Sequence, residues 1–400
     1  MKVLHVIPSV AERSGGPATA IVPMCRALRE RGSEVVLLTT NHELTQLRTE
    51  QLVDFKGVNT IFFPVQIGAS FKYSRPLATW LKQNVHDFDL AHIHAVFNHA
   101  SVAAARECRR AHVPYVVRPL GTLDPWSMKQ KPLRKRFFWF VSGKKMLERS
   151  AAVHYTARAE KQAAESSLGL NHGRVIPLGV EAGPLAHGNA IAESFPMLAG
   201  QQYVLVLSRL DPKKGLDVLI ESFVSLVRRP EFGSWRLVIA GDGPREYVAM
   251  LKEKAANSHR IIFTGWVEGE QKETLLRNAA LLALPSRHEN FGLCVMEAMA
   301  RGVPVLLSPQ VNLASEVEAA AAGWMATHDE LTGALGTVLA DDAERARRGK
   351  SACLFAQRYS WEKTATDLID LYEEVRCSTR SRHCFSPTTR RRTSAARWRR

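Results

Sequence analysis

The chain has no cysteine pair at C-x-x-C spacing, no apolar run of membrane-spanning length, and no acidic residue between Arg376 and Arg400. Each absence closes a class of function. The six cysteines (Cys25, Cys108, Cys294, Cys353, Cys377 and Cys384) are scattered through 400 residues. That pattern fits neither a zinc cluster nor a disulfide framework, and it suits a reducing compartment. The longest apolar stretches have strand length, well short of the roughly 20 residues that a membrane helix needs. Met1-Lys2-Val3-Leu4-His5-Val6-Ile7-Pro8 reads as a first strand and not as a secretory leader, because no apolar core or small-residue cleavage site follows. The net charge of +15 is unevenly spread: nine arginines lie between Arg376 and Arg400, and setting them aside leaves +6 for the body. A nucleic-acid reading therefore rests on the tail alone, and none is adopted. The tail, 376–400, lacks an apolar period and is expected to be disordered.

What is present is an alternation of strands and helices, the pattern of an α/β chain with parallel sheets. Four hundred residues suit two domains. The first series runs through strands at Val3–Ile7, Glu34–Thr40, Thr60–Pro64, Leu90–His94, Tyr115–Arg118 and Ala152–Thr156. Between the first two lies a helix Ala18–Arg31 with Ile21, Met24, Cys25 and Leu28 on one stripe. Low periodicity with Pro184, Gly188 and Pro196 marks a linker. A second series starts at Tyr203–Leu207 and continues through a helix Gly215–Val227 and strands near Arg236–Ala240, Arg260–Phe263, Ala279–Leu284 and Val303–Leu307. The resulting division is a first domain over 1–180, a linker over 181–200, a second domain over 201–358, a last helix over 359–375 and the tail.

The most informative segment is Ser286-Arg287-His288-Glu289-Asn290-Phe291-Gly292-Leu293-Cys294-Val295-Met296-Glu297, in which seven residues separate two glutamates. Glu289 falls in a loop after an apolar strand, and Glu297 in the opening of a helix that ends at Gly302. Such a loop lies at the carboxyl end of a parallel sheet, where open α/β folds bind ligands. The helix N-terminus suits a phosphate. Carboxylates beside a phosphate would repel it, so these acids are read as acceptors for hydroxyls, and phosphate plus hydroxyls describes a nucleotide sugar. Arg209 and Lys214, in Ser208-Arg209-Leu210-Asp211-Pro212-Lys213-Lys214-Gly215, place two cations beyond a strand end, well set for a diphosphate. Gly15 and Gly16 permit close backbone approach to a ligand.

These motifs resemble those of glycosyltransferase family 4, over the chain to about residue 375: the E-x7-E pair, the R-x-x-x-K-K-G run ending at Gly215, and the glycine-rich loop. The resemblance implies a GT-B fold, two Rossmann-like doubly wound domains facing across a cleft, with the last helix crossing back to the first domain. It implies a retaining hexosyltransferase that takes its sugar from a nucleoside diphosphate, needs no metal or other cofactor, and passes the sugar to a saccharide or lipid-linked acceptor in cell-surface polysaccharide assembly. By the same resemblance, Glu289, Lys214 and Arg209 are catalytic, and Gly15, Gly16, Gly241, Asn290, Phe291, Gly292, Leu293 and Glu297 bind the donor. His94, Arg118 and Asp124 are assigned to the acceptor side. His92 and His94 share a strand face, but a metal would need a third ligand that the sequence does not offer. Where many relatives carry histidine before a glycine, this chain has Leu120, a departure that keeps open a non-catalytic sugar-nucleotide-binding subunit. A nucleotide-sugar 2-epimerase on the same fold is a further alternative. Lys129 to Lys145 carries seven basic residues around Phe137-Phe138-Trp139-Phe140. It reads either as a core-packed helix with a basic outer face or as a seat on an anionic membrane. The expected location is cytoplasmic, with a peripheral seat on the inner membrane face under the second reading.

Overall fold

The computed structural model describes residues 1–44, 46–47, 50–68, 71–123, 132–181, 190–255 and 258–384. Asp124 and Lys129 lie outside these. Two sheets organise the chain. The first has eight strands: β1 (Lys2–Val6), β2 (Glu34–Thr40), β3 (Leu52–Phe55), β4 (Val58–Phe63), β5 (Leu90–His94), β6 (Tyr115–Arg118), β7 (Ala152–Tyr155) and β8 (Gly173–Val175), in the order β3-β4-β2-β1-β5-β6-β7-β8. The second has six: β9 (Tyr203–Leu207), β10 (Arg236–Ala240), β11 (Ile261–Gly265), β12 (Leu281–Leu284), β13 (Val305–Leu307) and β14 (Gly323–Met325), in the order β11-β10-β9-β12-β13-β14. The central strands read as unbroken apolar runs because helices cover both faces of a parallel sheet. Among the named strands of the described residues, only the β3–β4 pair is antiparallel. β3 alternates exposed and half-buried positions, and the hairpin turns at Lys56 and Gly57, both at positive φ (52° and 81°), the primed geometry that matches strand twist.

Two boundaries differ from the sequence reading. The last helix is Trp361–Cys384, so the segment after Val375 continues as helix through Cys384. The linker is shorter than 181–200: Ala190–Ser194 is helical, Pro196–Leu198 forms a 3-10 turn, and this stretch packs on helix Gly269–Asn278 of the second domain. Phe195 and Leu198, on either side of Pro196 and Met197, anchor it as buried residues.

The last helix returns to the first domain and packs against helix Gly16–Glu30. Two crossings run side by side, joined by Val180 N–H donating to Tyr359 O (2.8 Å) and Thr364 Oγ1 donating to Pro177 O (2.9 Å). One apolar cluster, containing Ile21, Met24, Leu368 and Tyr372 together with Met299 and Phe355, joins the domains.

Beneath that helix the first sheet carries a buried polar row. His5 on β1 lies opposite His92 on β5, and His94 opposite Arg118 on β6. A directed chain of bonds runs through it. The Ile176 carbonyl can only accept, so His154 Nε2 donates to it (2.7 Å). Neutral His154 then accepts at Nδ1 from His92 Nε2 (3.3 Å), and His92 Nδ1 accepts from the Tyr372 hydroxyl (2.6 Å). His5 Nδ1 and His94 Nε2 pair at 3.0 Å. The fold thus brings His5 beside His92 and His94 as a third imidazole, which the sequence did not reveal. Both nitrogens of His92 are engaged within the network, and the Arg118 guanidinium stands close by. The arrangement is a buried hydrogen-bonded row in which His5 Nε2 and His94 Nδ1 are left without a hydrogen-bond partner among the described residues.

Burial first, and then the Arg118 charge, hold the His5 and His154 imidazoles down to about 3, from an ordinary value of 6.5. Between those values the unfolded chain binds protons that the folded chain refuses, so stability is full above 6.5 and falls as pH drops toward 3. Unfolding free energies from urea titrations at about pH 7.5 and about pH 5.5 should differ by about 1.4 kcal/mol for each of these histidines, with the lower midpoint at about pH 5.5. An unchanged midpoint would show the row to be accessible to protons.

Candidate active site

A cleft opens between the carboxyl ends of the two sheets, and its chemistry comes from short loops. After β9 the chain passes Ser208 and Arg209 to a 3-10 turn, Pro212–Lys214, capped by Asp211 Oδ1 accepting from Lys213 N (3.0 Å). Gly215, at φ 66°, turns it into helix Leu216–Leu226; a Cβ there would stand 2.1 Å from Pro285 O, so only glycine lets this loop approach the one after β12. The two loops are braced by Arg287, which pairs with Asp217 (2.9 and 3.0 Å) and donates to Pro212 O (2.7 Å). The second loop ends at Gly292 and starts helix Leu293–Ala300. The Gly292 carbonyl takes up the Val295 and Met296 N–H groups (2.9 and 3.3 Å), so the N–H groups ahead of them are those a first turn leaves for outside partners.

Lys214 Nζ and the Glu289 carboxylate form a largely buried ion pair in the cleft wall. Burial pulls the Glu289 carboxyl upward, but the Lys214 and Lys213 ammonium groups outweigh it and hold it down to about 2. Burial acts against the Lys214 ammonium too, and the Glu289 charge overcomes it, raising the pKa. Glu297 pairs with Lys272 at 2.7 Å. Arg209 is exposed to the cleft and makes no ion pair among the described residues. It faces the first domain's loop: a Cβ on Gly15 (φ 100°) would lie 2.9 Å from Arg209 Nε, and one on Gly16 3.3 Å from Leu293 Cδ1.

The cleft therefore gathers Gly15, Gly16, Arg209, Lys214 and Gly241 with Glu289, Asn290, Phe291, Gly292, Leu293 and Glu297. Arg118 also reaches it, from within the first domain, where burial draws its guanidinium down to about 10 against the opposing Glu160 charge. His94 does not reach it. Its side chain is fully buried in the polar row, because alternation on β5 turns both histidines toward the last helix. Asp124 lies outside the described residues.

Leu120 lines the cleft at φ 62°, followed by Gly121 at 67°. Consecutive left-handed residues, one of them not glycine, are held by Glu160, whose carboxylate accepts from Gly121 N (2.7 Å). Sequence reasoning missed Glu160, and it missed Lys272 and Trp266, which also line or brace the cleft. Lys272 and Trp266 belong to no motif, and only the fold brings them to the site. Glu160 had one local signal, an acid in the first turn of its helix after Thr156.

Residues 15–179 match the family model described as "Glycosyl transferase 4-like domain", and residues 190–355 the one described as "Glycosyl transferases group 1". A D-inositol 3-phosphate glycosyltransferase of Corynebacterium efficiens is 35% identical over 180 residues, 43% of this chain and 42% of the relative. Its counterpart in Streptomyces coelicolor is 30% identical over 250 residues, 58% and 54% of the respective chains. The chain thus spans about half the length of the curated relatives it matches. Among solved structures, sucrose-phosphate synthase from Thermosynechococcus elongatus superposes with TM-score 0.77 at 20% identity, covering 94% of this chain and 99% of the other. Anabaena HepE in complex with UDP-glucose gives 0.74 at 20% identity, covering 94% and 100%. At that identity the likeness carries the fold.

Removing one partner of a buried ion pair strands the other charge, at a cost of about 3–5 kcal/mol. Lys214→Ala should therefore lower the unfolding midpoint substantially. Adding Glu289→Gln to Lys214→Ala should recover more than half of the loss. A double variant no more stable than Lys214→Ala would mean that the two side chains are not coupled.

Proposed function

The chain belongs to glycosyltransferase family 4, with the GT-B fold, and on that premise we propose that it is a retaining glycosyltransferase that moves a hexose from a nucleoside-diphosphate sugar to a saccharide or lipid-linked acceptor. One observation carries the reading: Arg209, the Lys214–Glu289 pair and the first turn of helix Leu293–Ala300 converge on one cleft wall, opposite Gly15 and Gly16. Two cations and a helix N-terminus supply, without a divalent metal, the positive field that a departing diphosphate needs. In the proposed reaction Glu289 accepts from donor-sugar hydroxyls and Glu297 from the ribose. The bond from the anomeric carbon to the diphosphate oxygen breaks, the acceptor hydroxyl attacks on that same face, and its proton passes to the departing oxygen. Leu120 offers no hydrogen bond, so charge on the sugar is left to the second-domain cations and the glycine-rich loop.

Arg209→Ala is the cleaner test of the phosphate clamp, because Arg209 is exposed and no buried charge depends on it. Turnover at saturating donor should fall by about a hundredfold, roughly 3 kcal/mol, with the unfolding midpoint unchanged. Wild-type turnover in that variant would remove Arg209 from the mechanism. Glu297→Gln should weaken nucleoside-diphosphate binding in calorimetry, whereas Glu289→Gln should reduce turnover more than that affinity.

A peripheral seat on an anionic membrane belongs to the same reading. Over 132–148 a helix, a π-helical turn and a second helix follow one another. Phe138 and Trp139 pack on the first domain's core, while Leu133 (81%), Phe137 (73%), Phe140 (88%) and Val141 (57%) stand exposed among Arg136, Lys144 and Lys145. Exposed aromatics flanked by cations match the chemistry of a lipid interface with anionic headgroups. Among the described residues no helix is long and apolar enough to cross a membrane. A chain ending at Cys384 should co-sediment with vesicles containing anionic lipid. Rising salt should weaken the binding, and Phe137→Ser with Phe140→Ser should weaken it further. Equal recovery with neutral and anionic vesicles would refute the electrostatic part.

A further inference from the structure

Glu160 is a buried acid that lies behind the cleft wall and outside the cleft's two glutamates. It sits in the first turn of helix Arg158–Leu168, is 5% exposed, and has no ion pair among the described residues. Its carboxylate instead collects neutral donors from three places. Within its own segment it accepts from Thr156 N (2.8 Å), with the Thr156 hydroxyl oxygen 3.1 Å away. From the turn after β6 it accepts from Gly121 N (2.7 Å), the residue that follows Leu120 in the left-handed region. From the second domain it faces the Asn290 side chain. The amide nitrogen of Asn290 lies 3.2 Å from each Glu160 oxygen and its amide oxygen 3.0 Å from Thr156 Oγ1, the orientation that satisfies both ends.

Gly121 and Asn290 meet directly as well. A Cβ on Gly121 would stand 2.7 Å from Asn290 Cβ, so the domains touch here backbone against side chain. Asn290 is the neighbour of Glu289, whose own carboxylate accepts from Asn290 N (3.2 Å). The contact on Glu160 is therefore one residue away from the side chain assigned to the donor sugar.

We infer that Glu160 is a positioning residue for the transfer reaction: it pins the Glu289–Asn290 loop of the second domain to the Leu120–Gly121 turn of the first, fixing both walls of the cleft around the reacting sugar. The inference rests on the proposed transferase activity. Glu160 does not line the cleft; it acts through Asn290 and Gly121. A buried carboxylate suits this role because both oxygens accept, and three N–H groups, those of Thr156, Gly121 and the Asn290 amide, converge on them. An amide in its place would turn an NH2 group toward backbone N–H groups and leave donors unpaired. Arg118, in whose field Glu160 lies, keeps the buried negative charge from standing alone.

The test compares the full chain with Glu160→Gln and Thr156→Val, the latter removing only the hydroxyl between Glu160 and Asn290. In Glu160→Gln, kcat should fall about tenfold or more, because small displacements of reacting groups are costly. The dissociation constant for the nucleoside diphosphate alone should stay within about twofold, since Arg209 and Lys214 are untouched. Thr156→Val should show the same split with a smaller loss. Hydrogen exchange supplies the readout that needs no turnover: peptides covering 119–123 and 286–292 should both exchange faster in Glu160→Gln. A merely local role would speed exchange in 119–123 alone, and that result overturns the inference, as does a kcat within about twofold of wild type. If Glu160→Gln does not fold, the kcat and exchange of Thr156→Val decide in its place. A wild type inactive toward every nucleoside-diphosphate sugar offered would defeat the transferase reading, and exchange in 286–292 would still judge the pin.

Discussion

The arrangement of this chain depends on the docking of its last helix. Trp361–Cys384 starts beside the second domain and finishes on the first, where the Tyr372 hydroxyl donates into the buried His92–His154 chain that ends on the Ile176 carbonyl. Each member of that chain has a defined donor and acceptor, so the helix is fixed in register as well as in place. With the crossing at Val180 tied to Tyr359, the two sheets are held with their carboxyl ends facing. The cleft is the space that this clamp leaves open.

Within the cleft the dominant force is electrostatic. Lys214 and Glu289 neutralise one another in a wall where neither would be tolerated alone, and Lys213 adds to the field. An incoming diphosphate would compete with Glu289 for Lys214, and the proposed donor's sugar hydroxyls would occupy the carboxylate so released. Arg209 stands outside that exchange, already directed at the cleft from beside Gly15. The first domain contributes little charge to the walls and much shape. Gly15 and Gly16 make room for Arg209 and Leu293, and Gly121 makes room for Asn290.

Much of this was legible in the sequence, for identifiable reasons. Strands such as Glu34–Thr40, Leu90–His94, Tyr203–Leu207 and Arg236–Ala240 coincide with the reading, because parallel strands buried on both faces leave continuous apolar runs. Arg209, Lys214, Glu289 and Glu297 stand at strand ends and helix starts that the same pattern locates. Antiparallel β3 was missed because a four-residue edge strand buries too little to leave an apolar run. His94 was placed toward the cleft because alternation says that His92 and His94 share a face without saying which face. The helix beyond Val375 was missed because its apolar stripe stops while its backbone bonds continue.

The sequence by itself determined the two α/β halves and the cations and acids at their strand ends, since strand and helix periods and loop chemistry are local properties of the chain. Only the tertiary structure decided which of those charges meet. Lys214 and Glu289 are 75 residues apart in the chain and become an ion pair because β9 and β12 are neighbours in the sheet. Likewise Glu160, unremarkable in sequence, becomes a contact between domains because the last helix holds the second domain's loop against it, and no local pattern encodes a distance across a cleft.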